Sequence, residues 1–358
     1  MAKVVLAGGG TAGHIEPALA VARQWKISHP NDELIFLGTS SGLENSIVPA
    51  ANFKLHLIPR VRISRKPSFS WIRIPVDLVS SIYSSKKIIR DADVLIGFGG
   101  YVSAPAYIAA QLSRVPIVIH EANARPGWAN RLGSMFTQHL AVAHPVSAGK
   151  FSSALLAGLP LRSDVSQGFI EAESNWKSAR ESAKSSLGFD SSKPLVVVMG
   201  GSQGSVAINS VIADSLEYLS GRNIQFLHSV GKANALPHST ALYKAVPYID
   251  AMAKAYLAAD LIIARSGAVT CSEFRALGRY ALFVPLPIGN GEQFVNAASL
   301  VAEGRAEVIN QKDFTVSFIK DNIDHLLTRS VSSPVAGSGS DLHAAEKIVA
   351  LAEFAISA

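Results

Sequence analysis

VVLAGGGTAGH, Val4–His14, and LVVVMGGSQGS, Leu195–Ser205, carry one pattern: an apolar β-branched run, a pair of glycines, a hydroxyl residue, one further residue and another glycine. Each run has the length of a buried strand, and each glycine turn leads into a stretch that can be helical. A turn of this kind brings backbone N–H groups close to a phosphate, and the helix N-terminus behind it favours negative charge. One such turn says little. Two, each opening one half of the chain, imply paired nucleotide-type α/β domains with a cleft between them.

The flanking sequence extends the plan. Strands are predicted at Val4–Ala7, Glu33–Gly38, Leu55–Ile58, Val94–Gly97 and Pro116–His120, with helices at Glu16–Ile27, Leu43–Ala50, Ile72–Arg90 and Ala104–Leu112. The second half repeats this with strands at Leu195–Met199, Ile224–His228, Leu261–Ala264 and Tyr280–Val284, and helices at Val206–Leu219, Met252–Ala258, Thr270–Ala276 and Gln293–Glu303. Alternation of this kind implies parallel sheets covered by helices on both faces. A second echo joins the halves: Asp93-VLIGFGGYVSAP resembles Asp260-LIIARSGAVTCSE, each a helix-to-strand joint, an apolar strand, a glycine loop and a new helix. The domain break is expected near Gly158–Arg162. Residues 171–187 read as one polar amphipathic helix, Ser330–Ser340 as a connector, and Asp341 as the cap of a last helix over Leu342–Ile356. The division is therefore 1–162, completed by 341–358, and 163–340.

At 358 residues, 48% hydrophobic and 17% charged, the chain can bury two cores. Its mean hydropathy is +0.25. No apolar run reaches the ~18 residues of a spanning helix, and no signal-peptide pattern precedes the first strand. The single cysteine, Cys271, excludes an internal disulfide framework and fits a reducing cytosol. A net charge of +6 favours nucleic acid, anionic lipid or a phosphorylated substrate. The charge is partly local: Arg60, Arg62, Arg65, Lys66 and Arg73 lie around the apolar and aromatic stretch SFSWIRIPVDLV, Ser68–Val79. Zinc-ligand spacing and RNA-recognition signatures are absent, so neither a zinc site nor a nucleic-acid partner is expected. A histidine beside a phosphate-type turn, His14, is a candidate base or donor. The plainer alternative is a helix-start histidine bonded to backbone.

GGGTAGHIEPALA, Gly8–Ala20, resembles the amino-terminal signature of the MurG family of peptidoglycan N-acetylglucosaminyltransferases, with Ala12-Gly13 where that family usually has two glycines. Further motifs follow in the same order: GFGGYVSAP (Gly97–Pro105), HEAN (His120–Asn123, with Ala122 in place of Gln), GLPLR (Gly158–Arg162) and GGSQG (Gly200–Gly204). The long segment Tyr248–Glu273 and EQFVNA (Glu292–Ala297, Glu292 in place of Gln) complete the series, which spans essentially the whole chain. The resemblance implies a GT-B fold, two Rossmann-like domains facing across a cleft. It implies inverting transfer of GlcNAc from UDP-GlcNAc to the muramyl C4 hydroxyl of lipid I, giving lipid II and UDP. It further implies a peripheral place on the cytoplasmic face of the cell membrane, contact with an anionic lipid surface, and cell-wall synthesis and division proteins as partners.

An inverting displacement needs a base for the acceptor proton and positive potential at the departing UDP. His14 is the leading candidate for the base. The family pattern assigns the donor to Thr11, Ala12, Gly13, Asn123, Arg162, Ser202, Gln203, Ile249, Ala268, Val269, Thr270, Cys271, Ser272, Glu273 and Gln293; Tyr101 and Arg265 are candidate acceptor or phosphate contacts, with structural roles as the alternative. Ser202 and neighbouring N–H groups would hold pyrophosphate, and Glu273 would bind the ribose diol with two acceptor oxygens. First-turn dipole compensation is the alternative for Glu273. Cys271 reads as a small packed residue rather than a nucleophile. Asp91-Ala92-Asp93 has the Asp-x-Asp form of a glycosyltransferase metal motif but precedes a buried strand at a helix joint, so no metal or other cofactor is expected. Three other functions stay open at this level: a GT-B transferase with a diacylglycerol or small acceptor, a sugar-nucleotide epimerase, and a non-catalytic nucleotide-sugar or nucleic-acid binder.

Overall fold

The computed structural model describes residues 1–61, 74–201, 203–287 and 291–358. It divides into two compact units, Met1–Arg162 with Asp341–Ala358, and Ser163–Ser340.

In the first unit β1 (Lys3–Gly8), β2 (Glu33–Gly38), β3 (Lys54–Leu57), β4 (Val94–Gly99), β5 (Ile117–Glu121), β6 (His139–Val142) and β7 (Leu155–Leu156) form a parallel sheet. Its order is β3-β2-β1-β4-β5-β6-β7. Helices α1 (Ala12–Ser28), α2 (Glu44–Ala50), α3 (Ile74–Ile89), α4 (Ser103–Ser113) and α5 (Trp128–Gly133) join the strands. The central strands are continuously apolar because both faces are covered. In β1, Val4 and Leu6 enter a core with Ile15, Leu19 and Trp25, while Val5 and Ala7 enter another with Val102, Ala106 and Tyr107.

The second unit begins with two helices, α6 (Ser163–Glu173) and α7 (Trp176–Ser186), where one was expected over 171–187. Asn175 causes the break: its side chain accepts from Ser178 N at 3.0 Å and caps a new helix. The sheet comprises β8 (Leu195–Met199), β9 (Gln225–Ser229), β10 (Tyr243–Val246), β11 (Leu261–Ala264), β12 (Ala281–Phe283) and β13 (Ala306–Val308), in the order β10-β9-β8-β11-β12-β13. All its pairings are parallel. Its helices are α8 (Val206–Ser220), α9 (Met252–Ala258), α10 (Ala268–Ala276), α11 (Glu292–Ala302) and α12 (Val316–Ser332). The connector predicted from Ser330 overlaps the end of α12, whose Ile319, Ile323 and Leu326 are buried in the core.

A final helix, α13 (Ala344–Ser357), returns to the first unit, where Ile348, Val349, Ala352 and Ala355 join the core under α1. Asp341 does not cap this helix as expected. The N-cap is His343, and the buried Asp341 carboxylate instead accepts from Leu159 N at 3.3 Å, tying the returning chain to the segment that leaves the unit.

The echo between halves is a shared joint. Lys3 N donates to Asp93 Oδ2 at 2.7 Å and Asp93 N to Lys3 O at 2.9 Å. In the other sheet Leu195 N donates to Asp260 Oδ2 at 2.7 Å and Asp260 N to Leu195 O at 2.8 Å. Asp93 is thus a clasp at the start of β1, and Asp91 pairs with Arg90 at 3.2 Å. Among the described residues no group of three His, Cys, Asp or Glu side chains is placed to hold a metal ion.

Candidate active site

In each sheet the strand order reverses beside the first strand of that unit, β1 or β8, and open α/β sheets bind ligands at the carboxyl ends of strands flanking such a reversal. In the first unit these ends carry Gly9–Thr11 and Gly100–Val102. In the second they carry Gly200–Ser205 and Arg265–Gly267.

His14 lies in the first turn of α1, half-buried, with Nδ1 3.1 Å from Thr11 Oγ1. The two loops of this unit are nearly in contact: a Cβ on Gly100 would stand 2.3 Å from Gly9 O and 3.2 Å from His14 Nδ1, and Gly100 has φ +83°. Only glycine fits there. Burial holds His14 below the ordinary histidine value, while Glu121, a hydrogen bond to the Gly9 backbone and Glu44 pull it upward. A neutral imidazole so placed can accept a proton. The first turn of α1 contains no acidic residue, and Thr11 makes no side-chain cap bond. Ala12 is helical, and among the described residues the non-glycine positions with positive φ are Asn52, Arg114 and Asn223. The replacement of a family glycine at Ala12 therefore carries no backbone strain. Thr11 and Tyr101 are exposed.

Behind His14 stands a buried polar network that the motifs did not single out. Glu121, at the end of β5, accepts from Asn123 N (2.9 Å), Asn123 Nδ2 (3.1 Å), Gly127 N (2.9 Å) and Asn130 Nδ2 (2.9 Å). Tyr107 OH donates to Asn130 Oδ1 at 2.7 Å, and burial pushes the Tyr107 phenol far up. Asn123 is thereby fixed beside the strand end. Arg162 lies 4.0 Å from Glu16 Oε1.

In the second unit Ser202 lies outside the described residues, and Gln203 is exposed. Arg265 directs its guanidinium inward: Nη1 donates to the Val284 and Pro285 carbonyls (2.8 and 3.1 Å), and Nη2 to Ser205 Oγ and Gln311 Oε1 (2.8 and 2.6 Å). It braces the glycine loop against the ends of β12 and β13. α10 starts at Ala268, two residues earlier than predicted, so Glu273 falls in the second turn and not the first. First-turn dipole compensation therefore does not account for it. Glu273 is buried and accepts from Tyr256 OH at 2.9 Å. Ala268, Cys271 and Ser272 are buried, Val269 and Thr270 half-buried, and burial pushes the Cys271 thiol up to about 12, consistent with a packed residue. Ile249 is buried, and Gln293 Oε1 accepts from Leu286 N at 2.9 Å.

Two Rossmann-like units with glycine loops at their switch points define the class, and the comparisons with known proteins narrow it. Residues 4–142 match the glycosyltransferase family 28 N-terminal domain and residues 195–349 its C-terminal domain. The chain belongs to glycosyltransferase family 28, and its fold is GT-B. It is 41% identical over 333 residues to the UDP-N-acetylglucosamine--N-acetylmuramyl-(pentapeptide) pyrophosphoryl-undecaprenol N-acetylglucosamine transferase of Paenarthrobacter aurescens, covering 91% of this chain and 87% of the relative. The protein of the same name from Corynebacterium efficiens is 42% identical, with 91% and 89% covered. The crystal structure of Acinetobacter baumannii MurG has a TM-score of 0.70 and 27% identity, covering 98% of this chain and 99% of that one. The resemblance read from the glycine loops is borne out. A Staphylococcus aureus MnaA–UDP structure, 16% identical with a TM-score of 0.66 and covering 98% of this chain and 95% of that one, shares the fold alone.

Proposed function

We propose that the chain catalyses the reaction its relatives are named for: transfer of GlcNAc from UDP-GlcNAc to the C4 hydroxyl of the muramyl sugar in lipid I, forming lipid II and UDP. The observation that carries this is identity above 40% over about nine-tenths of the chain to enzymes bearing that name. His14 takes the proton of the C4 hydroxyl. The oxygen forms its bond to C1 of GlcNAc from the face opposite the departing diphosphate, the C1–O bond to UDP breaks, and the anomeric centre inverts. In the second unit Glu273 accepts from the ribose hydroxyls, Ile249 offers backbone to uracil, and the α8 N-terminus with Ser202 meets the diphosphate. Thr11, Ala12, Gly13, Asn123, Arg162, Gln203, Gln293 and the Ala268–Ser272 turn line the donor, and Tyr101 contacts the acceptor. Arg265, with its donors engaged in the second unit, supports the loop instead of reaching for substrate.

The acceptor is lipid-anchored, so the enzyme meets it at a bilayer. No helix among the described residues is long and apolar enough to cross a membrane. α3 displays Val76, Val79 and Tyr83, all more than 60% exposed, along one stripe that continues into Lys86, Lys87 and Arg90. Lys87 Nζ stands over the Tyr83 ring at 4.6 Å. Apolar insertion with a basic flank suits reversible binding to the anionic cytoplasmic leaflet. Arg60 is exposed and donates to Ser41 Oγ at 2.9 Å; the other cations read from that basic stretch, Arg62, Arg65, Lys66 and Arg73, and its Phe69, Trp71 and Ile72 lie outside the described residues. Cell-wall synthesis and division proteins are its expected partners there.

The test is mass spectrometry of products from purified protein, UDP-GlcNAc and a short-chain lipid I analogue. A disaccharide-linked product with equimolar UDP is expected. UDP-ManNAc formed from the donor alone would instead identify an epimerase, and no UDP in either mixture a binder.

A further inference from the structure

Glu44 is a fully buried carboxylate at the start of α2. Its Oε2 accepts from Gly10 N at 2.9 Å, and its Oε1 from Thr39 N at 2.8 Å and Thr39 Oγ1 at 3.1 Å. Three glycines make room for it. A Cβ on Gly42 would lie 2.0 Å from Oε2, one on Gly38 2.5 Å from Glu44 Cγ, and one on Gly9 3.1 Å from Oε1. Burying an ionised carboxylate is costly unless donors meet its oxygens, and here donors from two loops do so. The Gly10 N–H it engages is one that a phosphate-type glycine turn would present to its ligand. This end of the loop therefore already holds an anion, supplied by the chain itself.

The same anion is linked to His14 through the first glycine loop. Gly9 packs on the Glu44 carboxylate, and its backbone is hydrogen-bonded to the imidazole. The groups around that ring are Thr11 on its own loop, Glu44 from α2, Glu121 from the end of β5, and Asn130 of α5, which flanks Gly99 together with the ring. Resting on the reading of His14 as base and deepening it, we propose that Glu44 is a positioning residue for the transfer reaction: an internal anion that closes the Gly10 end of the first glycine loop, seats His14 and keeps its imidazole a competent proton acceptor. Burial opposes proton uptake by His14, whereas Glu44 and Glu121 favour it. Glu44 thus acts through charge as well as shape.

The experiment follows the His14 imidazole by NMR in the full-length chain, with its resonance assigned by loss in His14→Ala. Glu44→Gln keeps the size, removes the charge and turns an amide N–H₂ toward a backbone donor. The His14 midpoint is expected to fall, because the carboxylate charge that favours the protonated ring is gone. The acidic limb of kcat/KM should move in the same direction, and kcat should drop ~10-fold or more with KM for UDP-GlcNAc little changed. Glu44→Asp keeps the charge on a shorter arm, so the midpoint should stay near wild type while kcat falls. A folded Glu44→Gln protein with the wild-type midpoint would overturn the proposal. If Glu44→Gln does not fold, an unaltered kcat in Glu44→Asp would overturn it. Undiminished transfer by His14→Ala would remove the base assignment without touching the imidazole titration, so the two failures are distinguishable.

Discussion

Replacing Glu273 separates binding from scaffolding, because its carboxylate serves an internal hydroxyl and is assigned the ribose as well. Tyr256 OH donates to it at 2.9 Å, and both side chains are buried. Glu273→Ala removes that acceptor from the interior, which costs about 1–3 kcal/mol of stability. Glu273→Gln retains an acceptor of the same reach, so its cost should stay under about 1 kcal/mol. Charge-assisted bonds to the ribose hydroxyls are worth roughly 1.5–3 kcal/mol, or ~10–150-fold in affinity. Both variants should therefore lose donor affinity to a similar degree while differing in stability. Calorimetric titration with UDP-GlcNAc, paired with thermal melts, reads the two quantities separately. A folded Glu273→Gln protein that binds UDP-GlcNAc as tightly as wild type would refute the reasoning and leave the carboxylate a structural role.

His14→Ala should lower kcat by ~10²–10⁴-fold, with donor affinity nearly unchanged by calorimetry. Stability should fall on acidification. Burial lowers His120 to about 4 and His228 to about 4 from 6.5, so between those values the unfolded chain binds more protons than the folded one. Each contributes up to about 3 kcal/mol, present above pH 6.5 and lost as pH falls toward 4, which denaturant melts at several pH values will measure. Turnover should survive exhaustive EDTA treatment; complete loss restored by Mg²⁺ or Mn²⁺ would contradict neutralisation of UDP by helix N-terminus and side chains. Val79→Glu with Tyr83→Glu should weaken sedimentation with anionic vesicles, and salt should weaken it in the wild type; unchanged sedimentation would place the bilayer contact elsewhere.

The strands beside the switch points were legible in the sequence because burial on both faces writes them as unbroken apolar runs, as in Leu195–Met199. The edges were not. β10 reads YKAV and β13 reads AEV, short and half-polar because one side of each has no strand to pair with. α12 went unread although Ile319, Ile323 and Leu326 have helical spacing, since its Ser-rich end resembles a linker. In the site, glycine, histidine and hydroxyl positions announced themselves by local pattern. Glu44 and Asn130 did not, because their roles depend on partners from distant segments: Gly10 for one, Tyr107 and Glu121 for the other. Arg265 shows the converse, a loop arginine whose acceptors in Val284, Pro285 and Gln311 lie beyond any local motif.

The docking of α13 under α1 has a consequence for synthesis. Residues 1–162 leave the ribosome first, yet part of one sheet face, beside α1, stays uncovered until Ile348, Val349, Ala352 and Ala355 arrive. Residues 163–340 contain all their own strands and emerge in the interval, so the later-made unit is free to fold before the earlier one is finished. Throughout that delay the apolar surface around Trp25 and Leu19 stays open to chaperones, or to another nascent copy of the same chain.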